Sequence, residues 1–183
     1  LDIPYWALDL TYPTKVEASG PPAHDQMTPK AMQTRFHFPA TPKRQSVVLH
    51  WSHSARGPAI LREKGLSSRG ANTVFVGTEG ILVCGFGNRK LYPEEKFKNH
   101  QAAEKSIPDS PGFYKEWINA CRGGAAATCD FDYSGPLTET VLLGNVAYRT
   151  GGFEWDARNL IPKGNKKSTK LIREESRRGW KLT

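Results

Sequence analysis

At 183 residues the chain has the length of one domain, or of one domain with appendages, and can bury roughly two thirds of its unfolded surface. Its 38% hydrophobic and 24% charged content is that of a folded globular protein; 17 Gly and 13 Pro speak for turns and loops over a helical bundle, and no apolar run reaches the roughly 20 residues of a membrane span. The formal charge of +8 is concentrated from Lys163 onward, where eight basic residues face only Glu174 and Glu175, which favours a solvated terminal segment over a nucleic-acid groove.

Leu1 is not Met, and LDIPYWALDL lacks the basic start and small-residue cleavage site of a signal peptide, so the chain is expected to begin inside something longer or processed, with its compartment unspecified. Pro4 to Leu10 reads as a short helical turn and Thr14 to Ser19 as a first strand. After the breaker-rich GPPAHDQMTP, Ala31 to Phe38 alternates Met32, Thr34, Phe36 and Phe38 against Gln33, Arg35 and His37, the clearest strand pattern in the chain. PATPKRQ is a turn and SVVLHWSHS has strand composition, so the two should pair as an antiparallel hairpin.

Periodicity is lost from Arg56 to Ala71, as in a long loop. NTVFVGTEGILVCGFG then places two strands around Gly77 to Gly80, a second hairpin expected to join the first in one sheet. Asn88 to Asp109 reads mostly as loop, with a short strand at Lys90 to Tyr92. Ser110 and Pro111 open a helix that Gly123-Gly124 ends; Ser134 and Pro136 open another that continues to Gly151-Gly152. GGFEWD and ARNLIP are short extended pieces, and Ser168 to Arg178 is expected to form a basic final helix. Strands first and helices late favour an α+β fold over alternating βαβ units, in one domain over residues 1–183.

The motifs with chemical meaning are sparse. CGFGNRK carries Gly85 and Gly87 after a strand, but Lys90 replaces the third glycine of a dinucleotide loop and LYP follows where a helix is needed, so a hairpin end is the better reading. His50 and His53 stand three apart on an extended segment, which puts the imidazoles on opposite faces and disfavours joint metal chelation. Asp130 and Asp132, just before a helix, read as caps. No G-x-S-x-G nucleophile turn is present. The three cysteines, Cys84, Cys121 and Cys129, lack metal-ligand spacing and read as free thiols.

PYWALDLTYPTKVEASGPP, VFVGTEGILVCG, SPGFYKEWINACRGG, FDYSGPLTETVLLGNVAYRTGGFEWD and the terminal RRGW together, in this order, resemble the bacterial-type carboxyl-terminal domain of the Gfo/Idh/MocA oxidoreductases. The resemblance spans nearly the whole chain and implies a large, mainly antiparallel β-sheet with helices packed on one face and the other face available for oligomerisation. It implies an NAD- or NADP-dependent enzyme acting on a sugar, a cyclitol or a derivative, in which a Rossmann domain, absent from this chain, holds the cofactor loop and the E-K-P lysine. It further implies that the acid-base histidine precedes Leu1, Asp2 matching the aspartate that closes its motif, and that the open sheet face makes a homo-oligomer. This chain would then carry no catalytic residue and bind no cofactor alone. Phe113 and Tyr114 depart from the family pattern, where histidines are common.

On this reading the substrate-facing surface is expected to join Asp2, Tyr5 and Trp6 with His50, Trp51 and His53, tryptophan faces packing on a sugar ring and Asp and His meeting its hydroxyls. The competing reading is a free-standing, non-enzymatic carbohydrate-binding or protein-interaction module. Neither nucleic acid nor membrane is expected as a partner.

Overall fold

In the computed structural model, which describes residues 1–53, 58–67, 70, 72–173 and 176–180, the aromatic opening segment is a short helix, α1 (Asp2–Ala7), that inserts Tyr5 into the core. Three strands follow. β1 (Lys15–Ser19), β2 (Met32–Phe38) and β3 (Val47–His53) pair antiparallel in chain order. β2 alternates as its sequence requires, burying Met32, Thr34, Phe36 and Phe38 and exposing Gln33 and Arg35. Tyr5 meets Phe38 edge to face at 6.2 Å between ring centres, which ties α1 to the end of β2.

Between β3 and the next strand lies a short helix, α2 (Ala59–Glu63), where sequence periodicity suggested only loop; the ends of that expected loop, Arg56 and Ala71, lie outside the described residues. β4 (Thr73–Val76), β5 (Ile81–Cys84) and β6 (Arg89–Tyr92) form an antiparallel meander. It is a separate sheet, of order β4-β5-β6, so the expectation that both hairpins share one sheet is corrected. The reason is local pairing: each strand of the meander finds its partner across a short turn, Gly77 N–H donating to the Gly80 carbonyl at the first and Gly85 N–H to the Asn88 carbonyl at the second. A one-turn helix, α3 (Glu94–Phe97), follows within a stretch read as loop.

The helix α4 (Phe113–Cys121) begins after Gly112, whose N–H is held by the Ser110 hydroxyl, and Glu116 braces it by accepting from Ser110 and from the Thr128 N–H. None of its residues is buried. The long helix α5 (Phe131–Thr150) starts three residues before the expected Ser134, because Asp130 accepts from the N–H groups of Asp132 and Tyr133 and so caps the first turn. Pro136 therefore sits inside the helix. Gly151, at φ 90°, ends it in the left-handed conformation.

β7 (Phe153–Asp156) returns to pair with β1, and β8 (Ile161–Lys163) pairs with β7, giving a five-stranded sheet of order β3-β2-β1-β7-β8. The last helix, α6 (Lys166–Ile172), is shorter than the expected Ser168 to Arg178 and starts earlier. Asn165 sets its start by accepting from the Lys167 N–H, while its amide donates to the Thr150 carbonyl at the end of α5.

The fold is thus α+β with two antiparallel sheets. Contacts divide it into two compact units, Leu1–Ala59 with Leu137–Thr183 and Ile60–Pro136. In the first, α5 covers one face of the five-stranded sheet through Thr140, Leu143, Gly144 and Ala147, positions i, i+3, i+4 and i+7. Gly144 is the point of closest approach: a Cβ built there would stand 3.1 Å from the Phe36 ring and 3.3 Å from the Thr34 methyl. Val16, Phe153 and Trp155 complete this core. The second unit buries Leu61, Val83 and Cys84 and leaves Phe113, Tyr114 and Trp117 of α4 largely exposed. All three cysteines are free. Among the described residues no helix is long and apolar enough to cross a membrane.

The energetic hierarchy can be read in urea unfolding. Phe36→Ala, which empties a site only 1% exposed, should cost about 3–5 kcal/mol, and Gly144→Val, which forces the helix off the sheet, about 1–3 kcal/mol. Phe113→Ala, at a ring 76% exposed, should change stability by no more than about 0.5 kcal/mol. Comparable losses at Phe113 and Phe36 would contradict this assignment of the core.

Candidate functional site on the helix-free sheet face

The six residues expected to form a substrate surface do not share one. Tyr5 is buried against Phe38, its hydroxyl donating to the Thr11 carbonyl, so it is a core residue. Burial pushes its phenol up to about 12, with Tyr12 and Glu139 nearby adding to the effect. Asp2 and Trp6 remain at the surface of α1. Trp51 and His53 stack on each other at 5.8 Å, on the face of β3 that carries the buried Leu49. His50 projects to the opposite face, as its spacing from His53 required. Phe38, beside Tyr5, pairs with Val47, whereas His53 pairs with Met32, so His53 lies about 20 Å along the hairpin from the α1 end. The chemistry of the side chains suited one sugar surface, but the length of the β2–β3 hairpin separates His53 from the end that α1 packs against.

What the structure does assemble is a polar face, opposite α5, that gathers residues from all five strands. Strand pairing sets Val48, His37, Lys15, Glu154 and Lys163 side by side across all five strands, with His50, Arg35 and Glu17 in the adjacent row. Asp156 completes the charged set on β7. Lys15, Arg35 and Lys163 are balanced in number by Glu17, Glu154 and Asp156. A shallow depression of about 500 Å³ opens among Thr14, Lys15, His37, Glu154, Trp155 and Lys163.

Glu17 is the hub of the adjacent row. Lys15 Nζ lies 2.9 Å from one carboxylate oxygen and His37 Nε2 2.8 Å from the other, and these bonds, Lys15 first, hold its carboxyl below the ordinary range. Lys163 Nζ stands 2.9 Å from Asp156, which with help from Asn159 keeps that carboxyl at about 2. Partial burial, then the charges of Arg35 and His37, depress the His50 imidazole. Both lysines beside Glu154 thus turn to other carboxylates, and among the described residues the side chains of Glu154 and Arg35 have no ion-pair or hydrogen-bond partner. On the covered face, Glu139 accepts from Trp155 Nε1 at 2.7 Å, while burial raises its carboxyl.

Residues able to hold a dinucleotide do not come together at the one glycine pair that invited the comparison. Gly85 and Gly87 lie in the tight turn from β5 to β6, where no helix follows to receive a pyrophosphate, so a nicotinamide cofactor does not fit there. Nor do the described residues gather three or more His, Cys, Asp or Glu side chains that could hold a metal.

The shifted groups dictate a pH profile. Glu17 and Asp156 have depressed carboxyls, so their contribution to stability is present above their ordinary values of 4.5 and 3.8 and is lost as pH falls through the depressed ones. His50 resists protonation in the fold, so it too destabilises as pH drops below its ordinary 6.5. Tyr5, raised from 10.0 to about 12, stabilises fully below pH 10 and loses its contribution as pH rises toward 12. Thermal midpoints across pH should therefore fall on both limbs; Glu17→Gln should flatten the acid limb and Tyr5→Phe the alkaline one. Unchanged limbs in both variants would contradict these roles.

No protein-family model and no curated protein matches the chain.

Proposed function

We propose that this chain is the substrate-side and assembly domain of an NAD(P)-dependent oxidoreductase acting on a sugar, a cyclitol or a derivative. A separate Rossmann domain supplies the cofactor and the acid-base group, and the helix-free sheet face joins a second copy. The observation that carries the reading is the agreement of motif with architecture. FDYSGPLTETVLLGNVAYRTG forms the long helix laid over the sheet, FEWD is the strand that returns to β1, and Lys15, Arg35, Glu154 and Lys163 on the opposite face are exposed. An enzyme of this kind needs a domain with one face for internal packing and another for contact.

Held by the separate Rossmann domain, a nicotinamide would supply hydride acceptance at the substrate's carbinol carbon, the hydroxyl proton passing to that domain's acid-base group. The part left to this chain is to shape and orient the sugar. Of the six residues first considered, Asp2 and Trp6 keep the surface position the task requires; Trp6 is 58% exposed, enough for an indole face to lie against a sugar ring. Tyr5 supports them from the core by fixing α1.

The gene upstream of the Leu1 codon should encode a strand-glycine-loop-helix unit with an E-K-P lysine, and the complete enzyme should reduce NAD(P) with a sugar or cyclitol. In that enzyme Trp6→Ala should raise the KM for the sugar several-fold while leaving the affinity for NADH unchanged. Calorimetry on the present chain alone should give no micromolar NADH binding. Micromolar binding by this chain would overturn the division of labour, and an unchanged KM in Trp6→Ala would remove α1 from the substrate surface.

A further inference from the structure

The assembly reading leaves open which groups meet, and the charges of the helix-free face answer it. Three facts bear on the occupant. First, with neutral histidines the face is balanced, Lys15, Arg35 and Lys163 against Glu17, Glu154 and Asp156, on a chain whose formal charge is +8. Copies of a strongly cationic protein repel one another, and they can touch at least cost where the local charge cancels. Secondly, the pairing within the face is incomplete in a specific way: Glu17 is taken by Lys15 and His37, and Asp156 by Lys163, which leaves one guanidinium, Arg35, and one carboxylate, Glu154. Both are exposed. Thirdly, these two stand on β2 and β7, two strand spacings and two residues apart, roughly 12 Å across the sheet. Their separation is too large for the side chains to reach each other, and Lys15 and Glu17 of β1 lie between them.

Resting on the assembly reading, we propose that a second copy of this chain docks face to face on the five-stranded sheet, Arg35 of each copy pairing with Glu154 of the other. A two-fold axis lying in the interface and bisecting the line from Arg35 to Glu154 makes this contact twice, as an isologous dimer demands. The guanidinium is the cation suited to the role, since it presents a planar fork to a carboxylate. The face carries few apolar side chains besides Val48 and Ile161, so the contact is polar and wet, and the reciprocal pairs set its register.

Sedimentation velocity over a concentration series, on the chain at neutral pH and moderate salt, reads this directly. Arg35→Glu and Glu154→Arg, each made singly, should weaken dimerisation about tenfold or more, because each removes two symmetric pairs and adds two repulsions. The double variant, which restores the pairs with their signs exchanged, should recover most of the affinity. Both positions are exposed, so circular dichroism should show the fold unchanged in all three. A chain that stays monomeric at every concentration would overturn the assembly reading and this pairing with it. A dimer indifferent to the single reversals, or one that the double variant fails to restore, would overturn the pairing and leave the assembly reading standing.

Discussion

The approach of α5 to the sheet at Gly144 is the contact on which the first unit depends. With no side chain there, the helix backbone comes close enough for the Phe36 ring and the Thr34 methyl to form its floor, and Thr140, Leu143 and Ala147 close around that point. Once this face is covered, the pleat leaves no freedom to the other. Every residue one step away along β1, β2, β7 and β8 must point outward, which is why Lys15, Glu17, Arg35, Glu154 and Lys163 come to share a surface although more than a hundred residues separate the first strands from the last. β7 and β8 reach that surface only because α5 returns the chain to the free edge of β1.

The electrostatic character of the molecule divides in the same way. The net positive charge is a property of the terminal segment, where Arg177 also lies over the Trp180 ring at 4.3 Å. The helix-free face is balanced, and its ion pairs are exposed, so individually they add little to stability. Their value is positional: Lys15 and His37 hold Glu17, Lys163 holds Asp156, and the spacing of the charges that remain is what a partner would meet. A nucleic-acid surface would instead present an unbroken run of cations.

Within the proposed division of labour, this chain's hairpin turn at Gly85 to Asn88 and its bare sheet suit a domain that shapes and assembles while another part holds the nicotinamide. The aromatic segment at the start of the chain serves two ends at once. Tyr5 anchors α1 to Phe38, with its hydroxyl on the Thr11 carbonyl, and Trp6, one residue on, is turned to the surface.

Much of the local structure was legible from residue order. Alternation in Met32 to Phe38 specified a half-buried strand, its polar row of Gln33, Arg35 and His37 marked the outward face, and proline, glycine and aspartate bracketed α4 and α5. Local signals misled where two competed: Asp130 rather than Ser134 caps α5, since its carboxylate reaches two free N–H groups, and Asn165 opens α6 ahead of Ser168. The grouping of Asp2, Tyr5 and Trp6 with His50, Trp51 and His53 rested on the resemblance and on side-chain chemistry, and it does not form because Tyr5 packs in the core and the β2–β3 register carries His53 to the far end of the hairpin. The sequence by itself determined the strands of both hairpins, the existence of α4 and α5 and the apolar side of β2, since these follow from backbone geometry and side-chain chemistry over a few positions, whereas the short helices α2 and α3 carry too few turns to show a period. Only the tertiary structure decided that the meander stands as its own sheet, that β7 lies beside β1, and that Glu154 shares a face with Arg35, because pairing between distant strands is chosen by how α5 and the core pack, a choice that no short stretch of residues encodes.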